Sequence, residues 1–537
     1  MHRRHLVIAL LCAILIASSA QAQDLWDLAN RNKEVLRIAT LFTAQDVRGR
    51  LSNDEGIDSA IAWCKQTGVT HAFIESFRDG YTAQRQALEH ARDRFRSAGF
   101  DVSGCVTTTG VGKKSTGWES ATCFTDAPTQ KRLQEIFEYA ASLFEEIMID
   151  DFLFTDCQCD ECRQARGDLS WSAYRAKLMI GVSRERIVAP ARAVNPNVKI
   201  IIKYPQWYDD FHNRGYEVVE QTADYDRIWV GTETRDYADP RWGGKVQYET
   251  YFIMRWLGEI GGSKCGGGWF DPYGTHEDTY VEQARQTVLA GAKEMLLFCY
   301  GSLLRDTGPA NVARLRTEIP GLFELARLVR NKPPRGIAAP KPPDSDALGE
   351  AYVYDFVGML GLPLVPTATI DTDAKAAFLP AHALKDPQLQ SKLAVLLEAG
   401  APVLVTDGLA QRPTTSATND LLVLKVSRDP KRLLELPRED LKLIRDKMLS
   451  PFGMQFDAPN KTALYLIGDD CVVVENFNDT AVTASLEFAQ PVEAKAALVL
   501  PVDGDAELSS TPGKVEFRAL GARTLVALTL SGRNEGQ

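Results

Sequence analysis

The feature that most constrains the fold is a regular alternation of short β-rich apolar runs with longer amphipathic stretches, which is typical of parallel βα units. Eight such runs predict strands at residues 36–42, 71–74, 102–107, 146–152, 198–203, 227–230, 264–269 and 294–299. Stretches between them, such as 130–144 and 171–193, carry apolar residues at helical spacing. We therefore expect an α/β protein with a closed (β/α)8 barrel, a TIM barrel, rather than an open doubly wound sheet.

The remainder of the chain predicts further domains, because 537 residues exceed what one hydrophobic core can organise. Pro-Pro pairs within residues 333–348 indicate a linker, which gives the barrel residues 23–332. Residues 349–450 again alternate strand and helix patterns and indicate a second α/β domain. Residues 451–537 predict a small β-sandwich with strands at 463–467, 471–475, 482–488, 496–502 and 524–530.

The amino terminus indicates export. Residues 1–22 combine two arginines, an apolar run and Ala20-Gln21-Ala22, the pattern of a cleavable signal peptide. The apolar run is shorter than the roughly 20 residues of a membrane helix, so we expect no membrane span and a periplasmic or secreted protein. Lipidation at Cys12 is the alternative. A net charge of −10 without a basic stripe argues against nucleic acid as a partner.

Carboxylates at the predicted strand ends are the candidate catalytic residues, because the active site of such a barrel lies at the C-terminal ends of its strands. Asp150 and Asp151 end the fourth run, Glu233 follows the sixth and Asp271 follows the seventh. Buried carboxylates are costly unless they are paired or functional. Adjacent strand residues face opposite ways, so only one of the two aspartates faces the barrel opening unless the strand ends there. Helix caps and internal salt bridges are the alternative interpretation.

Other polar and aromatic side chains at the strand ends are candidates for substrate binding. They are Glu75, Lys203, Tyr204, Trp207, Arg235, Trp269 and Tyr300. An opening lined with acids and aromatic rings suits cleavage of glycosidic bonds, which uses one carboxyl to protonate the leaving oxygen and a second to attack carbon or activate water. The chain has no phosphate loop, serine elbow or dinucleotide turn, which disfavours serine hydrolases and oxidoreductases.

Two other functions remain open from these residues. One is a barrel that binds carbohydrate and has lost the chemistry, which predicts binding without turnover. The other is a hydrolase that removes acyl groups from polysaccharide. It is disfavoured because the histidines that remain after residue 22 show no metal-ligand spacing.

A cluster of cysteines just past the fourth run indicates a metal site. Cys157, Cys159 and Cys162 place three sulfurs within six residues, and a structural zinc ion takes four ligands. Cys123 or Cys105 is the candidate fourth ligand. Disulfides are the alternative, because an exported chain meets an oxidising compartment. The nine cysteines after residue 22 leave at least one thiol unpaired, and a CxC pair is too close to bridge itself comfortably.

With its barrel, its cysteines and its order of domains, the chain resembles the glycoside hydrolase family 42 β-galactosidases. That family joins a (β/α)8 barrel to a flavodoxin-like, glutamine-amidotransferase-like α/β domain and a small C-terminal β-domain. The resemblance implies a structural zinc site in which Cys123 joins Cys157, Cys159 and Cys162. It also implies a structural or oligomer-forming role for the middle domain, and hence a homo-oligomer.

The resemblance does not extend to the catalytic pair. Asp150-Asp151 stands where that family has Asn-Glu, and Asp271 stands where it has a nucleophilic glutamate. The resemblance therefore implies a glycosidase acting on carbohydrate, without implying β-galactosidase activity. The arrangement of an aspartate at the end of the fourth strand and an acid at the end of the sixth resembles that of the α-galactosidase-like barrel families. We therefore favour Asp150 or Asp151 with Glu233, and place Asp151 with Asp271 second.

Overall fold

The computed structural model describes residues 24–236, 238–239, 241, 244–412 and 421–532. The predicted signal peptide, residues 1–22, lies outside the described residues. None of the helices in the described part of the chain combines the length and apolarity that a bilayer crossing requires.

Eight parallel strands form a closed barrel, as the alternation predicted. They are β1 Arg37–Phe42, β2 His71–Arg78, β3 Asp101–Val106, β4 Glu146–Ile149, β5 Lys199–Tyr204, β6 Arg227–Gly231, β7 Cys265–Phe270 and β8 Glu294–Leu297. Each strand pairs with the next one in the chain, and β1 pairs with both β2 and β8, which closes the circle. A two-residue strand, Tyr81–Thr82, pairs with the end of β2.

Helices surround the barrel. The longer ones are α1 Asp54–Gln66, α2 Arg85–Ser97, α3 Ala127–Ala141, α4 Trp171–Val182, α5 Tyr248–Gly261, α6 Glu277–Leu289 and α7 Gly308–Val329. Local sequence explains where they begin: the Asp126 side chain accepts the Thr129 N–H at the start of α3. The predicted stretch 171–193 is α4 followed by a π-helical turn, Ser183–Val188, and the short helix Ala189–Val194.

The barrel interior is apolar below its C-terminal opening, which we call the mouth. It is filled by Ala39, Leu41, Phe73, Cys105, Met148, Ile201, Trp229, Trp269, Leu296 and Cys299. Alternate strand residues point outward into a larger apolar layer beneath the helices, as Ile200 and Ile202 do on β5. Polar side chains of the strands meet on either side of this apolar layer: at the mouth, and at the opposite end, where His71 lies 2.7 Å from Glu294 and 2.9 Å from Ser103.

A five-stranded parallel sheet forms the middle domain. Its strands are β9 Ile337–Pro340, β10 Leu364–Thr367, β11 Ala377–Leu379, β12 Val403–Thr406 and β13 Leu422–Leu424, in the order β10-β9-β11-β12-β13. Helices such as Leu389–Glu398 accompany it.

The structure corrects the expectation that residues 333–348 form a linker. Pro334–Arg335 pairs with a strand of the C-terminal domain, and Ile337–Pro340 is β9, a completely buried strand of the middle sheet. The prolines stand at the ends of these strands: Pro334 begins the strand Pro334–Arg335, and Pro340 is the last residue of β9. Repeated prolines here mark strand boundaries instead of an extended connection.

Two antiparallel sheets form the C-terminal β-sandwich. Its strands are β14 Met454–Asp457, β15 Thr462–Ile467, β16 Cys471–Asn476, β17 Val482–Phe488, β18 Glu493–Leu500, β19 Ala506–Thr511, β20 Lys514–Leu520 and β21 Leu525–Ser531. One sheet has the order β15-β16-β21-β18, with Pro334–Arg335 beside β15, and the other has the order β14-β17-β20-β19. β14, β19 and β20 were not predicted from the sequence, and most of β19 is too exposed to show a buried pattern.

Candidate active site

The ammonium group of Lys203, on β5, joins carboxylates from two other strands at the mouth. Its Nζ atom lies 2.9 Å from Asp151 Oδ2, 3.8 Å from Asp150 Oδ1 and 2.7 Å from Glu233 Oε1. β4 ends at Ile149, so the two aspartates lie beyond the strand and no longer face opposite ways. The structure therefore brings together the acids predicted at the ends of β4 and β6.

Burial and charge give the two adjacent aspartates different proton affinities. Burial raises the pKa of Asp151 to about 7, a stronger effect than the opposing attraction of Lys203. Burial acts on Asp150 too, but the nearby charges of Arg78 and Lys203 together outweigh it and lower the pKa of Asp150. The three surrounding carboxylates raise the pKa of Lys203 despite its burial, so this cation stays charged.

Asp150 belongs to a fixed network beneath the mouth. Arg78 donates from Nη2 to Asp150 over 2.7 Å and from Nε to Glu75 over 2.8 Å. The Thr107 hydroxyl lies 3.0 Å from Asp150, and the Ala44 N–H donates to Glu75 over 2.8 Å. Glu75 is completely buried, so the structure does not bring this predicted substrate-binding residue to the open mouth. Its carboxylate holds Arg78 instead.

One carboxylate oxygen of Glu233 has no hydrogen-bond partner among the described residues. This atom is Oε2, and the side chain is 3 % exposed. A Cβ atom at Gly231 would lie 2.5 Å from this oxygen, so glycine makes room for the carboxyl group. Burial, and then the negative charge of Asp271, raise the pKa of Glu233 against the pull of Lys203. The described residues therefore leave this buried oxygen without a hydrogen-bond partner.

Asp271 and Arg235 form a salt bridge beside Glu233. Arg235 donates from Nη2 to Asp271 Oδ2 over 2.6 Å and from Nε to Oδ1 over 3.1 Å. The Tyr273 N–H also donates to Oδ1, over 3.1 Å. Both oxygens of this third candidate carboxylate are therefore already engaged.

Of the two predicted tryptophans, Trp269 contacts Lys203 and Trp207 packs against other aromatic rings. The Trp269 ring lies under Lys203, with Nζ 4.3 Å from the ring centre, which adds a cation–π contact to the ion pairs. Trp269 also stacks on Phe298 and is 2 % exposed. Trp207 is half-buried and packs against Phe154 in the loop after β4, with 5.3 Å between ring centres.

The structure corrects the predicted position of two tyrosines. Tyr204 follows Lys203 on β5 and points to the other side of the strand, where its hydroxyl lies 3.1 Å from that of Thr222. Tyr300 packs against Phe42 and Trp63 in the layer beneath the helices. Neither side chain lies with the acids at the mouth.

Arg78 and Thr107, which both contact Asp150, were not among the predicted site residues. The second strand was predicted to end at residue 74, whereas β2 continues to Arg78. A signal was present, because the third strand is followed by three threonines, Thr107, Thr108 and Thr109, all of which are buried.

Four cysteines form a second cluster, in the loops that follow β3 and β4. The sulfurs of Cys123, Cys157, Cys159 and Cys162 all lie within 4.8 Å of one another, and three of the separations are 3.6, 3.6 and 3.8 Å. Tetrahedral zinc with Zn–S bonds of about 2.3 Å holds its sulfurs about 3.8 Å apart. The arrangement therefore fits a bound metal ion.

The alternative of disulfide bonds finds no support in this cluster. A disulfide needs an S–S distance of about 2.05 Å, and every cysteine in the described part of the chain is a free thiol. Cys105, the other candidate fourth ligand, lies in the barrel interior instead.

Comparisons with known proteins agree with the fold. The α-L-fucosidase isoenzyme 2 from Paenibacillus thiaminolyticus aligns with a TM-score of 0.61 at 10 % identity, over 93 % of this chain and 99 % of its own. A catalytic mutant of a family 42 β-galactosidase from G. stearothermophilus aligns with a TM-score of 0.61 at 10 % identity, over 92 % of this chain and 98 % of its own. At this identity the likeness concerns the fold alone.

Sequence comparison identifies the family. An uncharacterized protein of Saccharolobus solfataricus is 25 % identical over 365 residues, which are 61 % of this chain. The chain spans 59 % of the length of that curated relative. A family profile described as a probable glycosyl hydrolase catalytic domain matches residues 22–350, the whole barrel and more than half of the chain. The chain therefore belongs to this family of probable glycosyl hydrolases, and its (β/α)8 barrel is the matched catalytic domain.

Proposed function

We propose that this protein is a glycosidase that cleaves its substrate with Asp151 and Glu233 as the carboxylate pair. The observation that carries the proposal is that the Lys203 ammonium contacts both groups, at 2.9 Å and 2.7 Å. The two contacting oxygens therefore cannot lie more than about 5.6 Å apart. Retaining glycosidases hold their carboxyls about 5–5.5 Å apart and inverting ones about 6.5–9.5 Å, so the spacing favours retention of configuration.

The roles follow from exposure and protonation. Asp151 is the more accessible of the pair, with 15 % of its side chain exposed, and is the general acid. It donates its proton to the leaving oxygen while Glu233 attacks the anomeric carbon and forms a glycosyl ester. Water then attacks that carbon, Asp151 takes the water proton, and the Glu233 carboxylate leaves. Lys203 stabilises the negative charge that Asp151 carries between the two steps.

The proposed acid predicts how the rate depends on pH. Since burial raises the pKa of Asp151 to about 7, the carboxyl keeps its proton below neutrality and loses it above. We expect kcat/KM to fall as the pH rises through about 7, because the ionised carboxylate cannot protonate the leaving oxygen.

The second candidate pair is Asp151 with Asp271. It is favoured because Asp271 directly follows β7, the strand that pairs with β6. It is disfavoured because Arg235 engages both oxygens of Asp271, which reduces their nucleophilicity.

The proposed substrate is an oligosaccharide or polysaccharide outside the cytoplasm. The signal-peptide pattern of residues 1–22 supports an exported enzyme that acts on an oligosaccharide or polysaccharide outside the cytoplasm. The sulfur-only ligand set of the four cysteines supports zinc as the structural metal, since thiolates are preferred zinc ligands.

The test is sugar release from aryl α- and β-glycosides, including pentosides, galactosides, fucosides and furanosides, by wild type and the variants Asp151→Asn, Glu233→Gln and Asp271→Asn. We expect the first two variants to lose about a thousandfold or more in turnover while their folded circular dichroism is unchanged. Azide should rescue Glu233→Ala and give a glycosyl azide of inverted configuration.

Either of two results would contradict the assignment. Full activity of Glu233→Gln together with an inactive Asp271→Asn would identify Asp271 as the partner of Asp151. A wild-type product whose first-formed anomer is inverted, as followed by proton NMR, would exclude the covalent intermediate.

A further inference from the structure

The loop after β3 presents a large aromatic surface to solvent. Trp118 is 43 % exposed, and no other tryptophan in the described part of the chain is exposed to a comparable degree. A solvated indole of this size is unfavourable unless it has a partner, because it leaves a wide apolar area in water.

Trp118 belongs to a row of rings that begins next to Asp151. Its indole stacks on Phe152, with 5.5 Å between ring centres, and on Phe154, with 5.9 Å and nearly parallel planes. Phe154 in turn contacts Trp207. We call these four rings the aromatic wall. Their order by contact is Phe152, Trp118, Phe154 and Trp207, so the exposed indole directly contacts the ring of the residue that follows Asp151.

The backbone that carries Trp118 is fixed to the loop after β4. The Trp118 N–H donates to Asp156 Oδ2 over 2.9 Å, and the Thr116 hydroxyl accepts the Gln158 N–H over 2.7 Å. Gly117 lies so close to the Asp156 carboxylate that a Cβ atom would not fit. The four cysteines connect the same two loops. The indole is therefore held in place before a ligand arrives, which lowers the entropic cost of binding.

We propose that the Trp118 indole binds the sugar ring on the leaving-group side of the bond that is cleaved. The proposal rests on the proposed role of Asp151: a general acid protonates the leaving oxygen, so the ring next to it is that of the departing sugar. Aromatic side chains bind the apolar face of a sugar ring, and Trp118 presents such a surface in contact with Phe152, the residue that follows Asp151. Trp118 is then a determinant of specificity for oligosaccharides.

The test compares two substrates with the same glycone, the sugar released in the aryl glycoside panel. One is its glycosyl fluoride, which has no ring on the leaving side, and the other is an oligosaccharide. We expect Trp118→Ala to lower kcat/KM on the oligosaccharide by about tenfold or more, mainly through KM, and to leave the fluoride unchanged. Trp118→Phe should restore part of the loss.

Leu169→Ala is the matched control. It removes a 40 % exposed apolar side chain from the other end of the loop after β4, outside the aromatic wall, and should affect neither substrate. An equal loss on both substrates, or no loss on either, would overturn the proposal and leave the indole as a docking surface for another protein or as a purely structural group.

The two substrates also separate this proposal from that for Asp151. If Asp151→Asn remains active, the assignment of the acid fails, yet a loss confined to the oligosaccharide still shows that Trp118 binds a sugar on the leaving side. Calorimetric titration of Asp151→Asn with the oligosaccharide, with and without Trp118→Ala, measures binding without turnover. Equal affinities in the two titrations would show that Trp118 does not bind the sugar, even if Asp151 is the acid.

Discussion

Two clusters of buried charge in this molecule have similar electrostatics and different surroundings. The mouth cluster contains Asp150, Asp151, Lys203 and Glu233. The interface cluster lies where α6 meets the C-terminal sheet and contains Glu282, Arg285, Gln286, Tyr465, Glu475 and Arg523. Burial raises the pKa of Glu282 to about 7 and that of Glu475 to about 8, as it raises the pKa of Asp151 to about 7.

The difference between the clusters is position. Only the mouth cluster lies at the C-terminal ends of barrel strands, where (β/α)8 enzymes place their chemistry. The interface cluster joins a helix of the barrel to the sheet formed by β15, β16 and β21. A perturbed pKa therefore identifies burial, and only the fold identifies which buried acids a substrate can reach.

The largest expected effect comes from removing the central cation of the mouth cluster. Lys203→Met leaves three carboxylates buried without their shared partner. We expect the free energy of unfolding at pH 8 to fall by about 3–5 kcal/mol, and activity to be lost in the protein that remains folded. The loss of stability should be smaller at pH 5, where Asp151 can take up a proton. Urea unfolding at both pH values measures it.

Arg523→Met is the matched change in the interface cluster. It removes the guanidinium that lies 2.7 Å from Glu282, so stability should also fall. Turnover per folded molecule should stay at the wild-type value, because no strand end is disturbed. An equal loss of turnover in the two variants would remove the functional distinction between the clusters.

Removing one thiol of the four-cysteine cluster should disturb the loops after β3 and β4 and spare the interface cluster. Cys159→Ser breaks the connection between the loops that carry Trp118 and Asp156, and we expect a loss of about 3–4 kcal/mol, as for a cross-link that closes a loop of this length. Hydrogen exchange should increase in residues 113–126 and 155–166 and stay unchanged in β16.

Metal analysis completes this test. We expect one zinc ion per wild-type chain, fewer in Cys159→Ser, and a wild-type content in Cys265→Ser, whose thiol lies outside the cluster. The four thiols would be shown only to pack together if the wild-type protein contained no metal and chelators did not change its hydrogen exchange.

A more gradual effect, spread over several pH units, is expected from Glu475 in the interface cluster. Its pKa of about 8 in the folded protein exceeds the ordinary 4.5, so between these values the folded state keeps a proton that the unfolded chain releases. Stability should therefore fall as the pH rises from about 4.5 to about 8, by at most about 1.4 kcal/mol per pH unit from this group.

Glu475→Gln cannot ionise and should flatten part of that slope without changing activity. Denaturant midpoints of the variant and the wild type at pH 5, 6.5 and 8 test this. Parallel slopes in the two proteins would show that Glu475 is ionised in the folded state.

The comparison also explains what could be predicted from the sequence. The eight strands were recognisable because buried parallel strands are apolar runs, and Asp150 and Asp151 were conspicuous because they interrupt such a run. Lys203 was predicted as a polar residue at the end of a strand. Its contacts with the acids after β4 and β6 depend on closure of the barrel and on β4 ending at Ile149. The interface cluster was invisible, because Glu282 and Glu475 come together only when the domains pack.

The smallest expected effect concerns the orientation of two neighbouring side chains on β5, Lys203 and Tyr204. Both end β5 and both were predicted to bind substrate, yet alternation places the ammonium at the mouth and the phenol beneath the helices. Tyr204→Phe removes one buried hydroxyl next to that of Thr222 and should cost about 1 kcal/mol of unfolding free energy. Because the ring stays in place, kcat and KM should match the wild type. A raised KM at unchanged stability would mean that Tyr204 reaches the substrate, and the orientation of β5 described here would then be wrong.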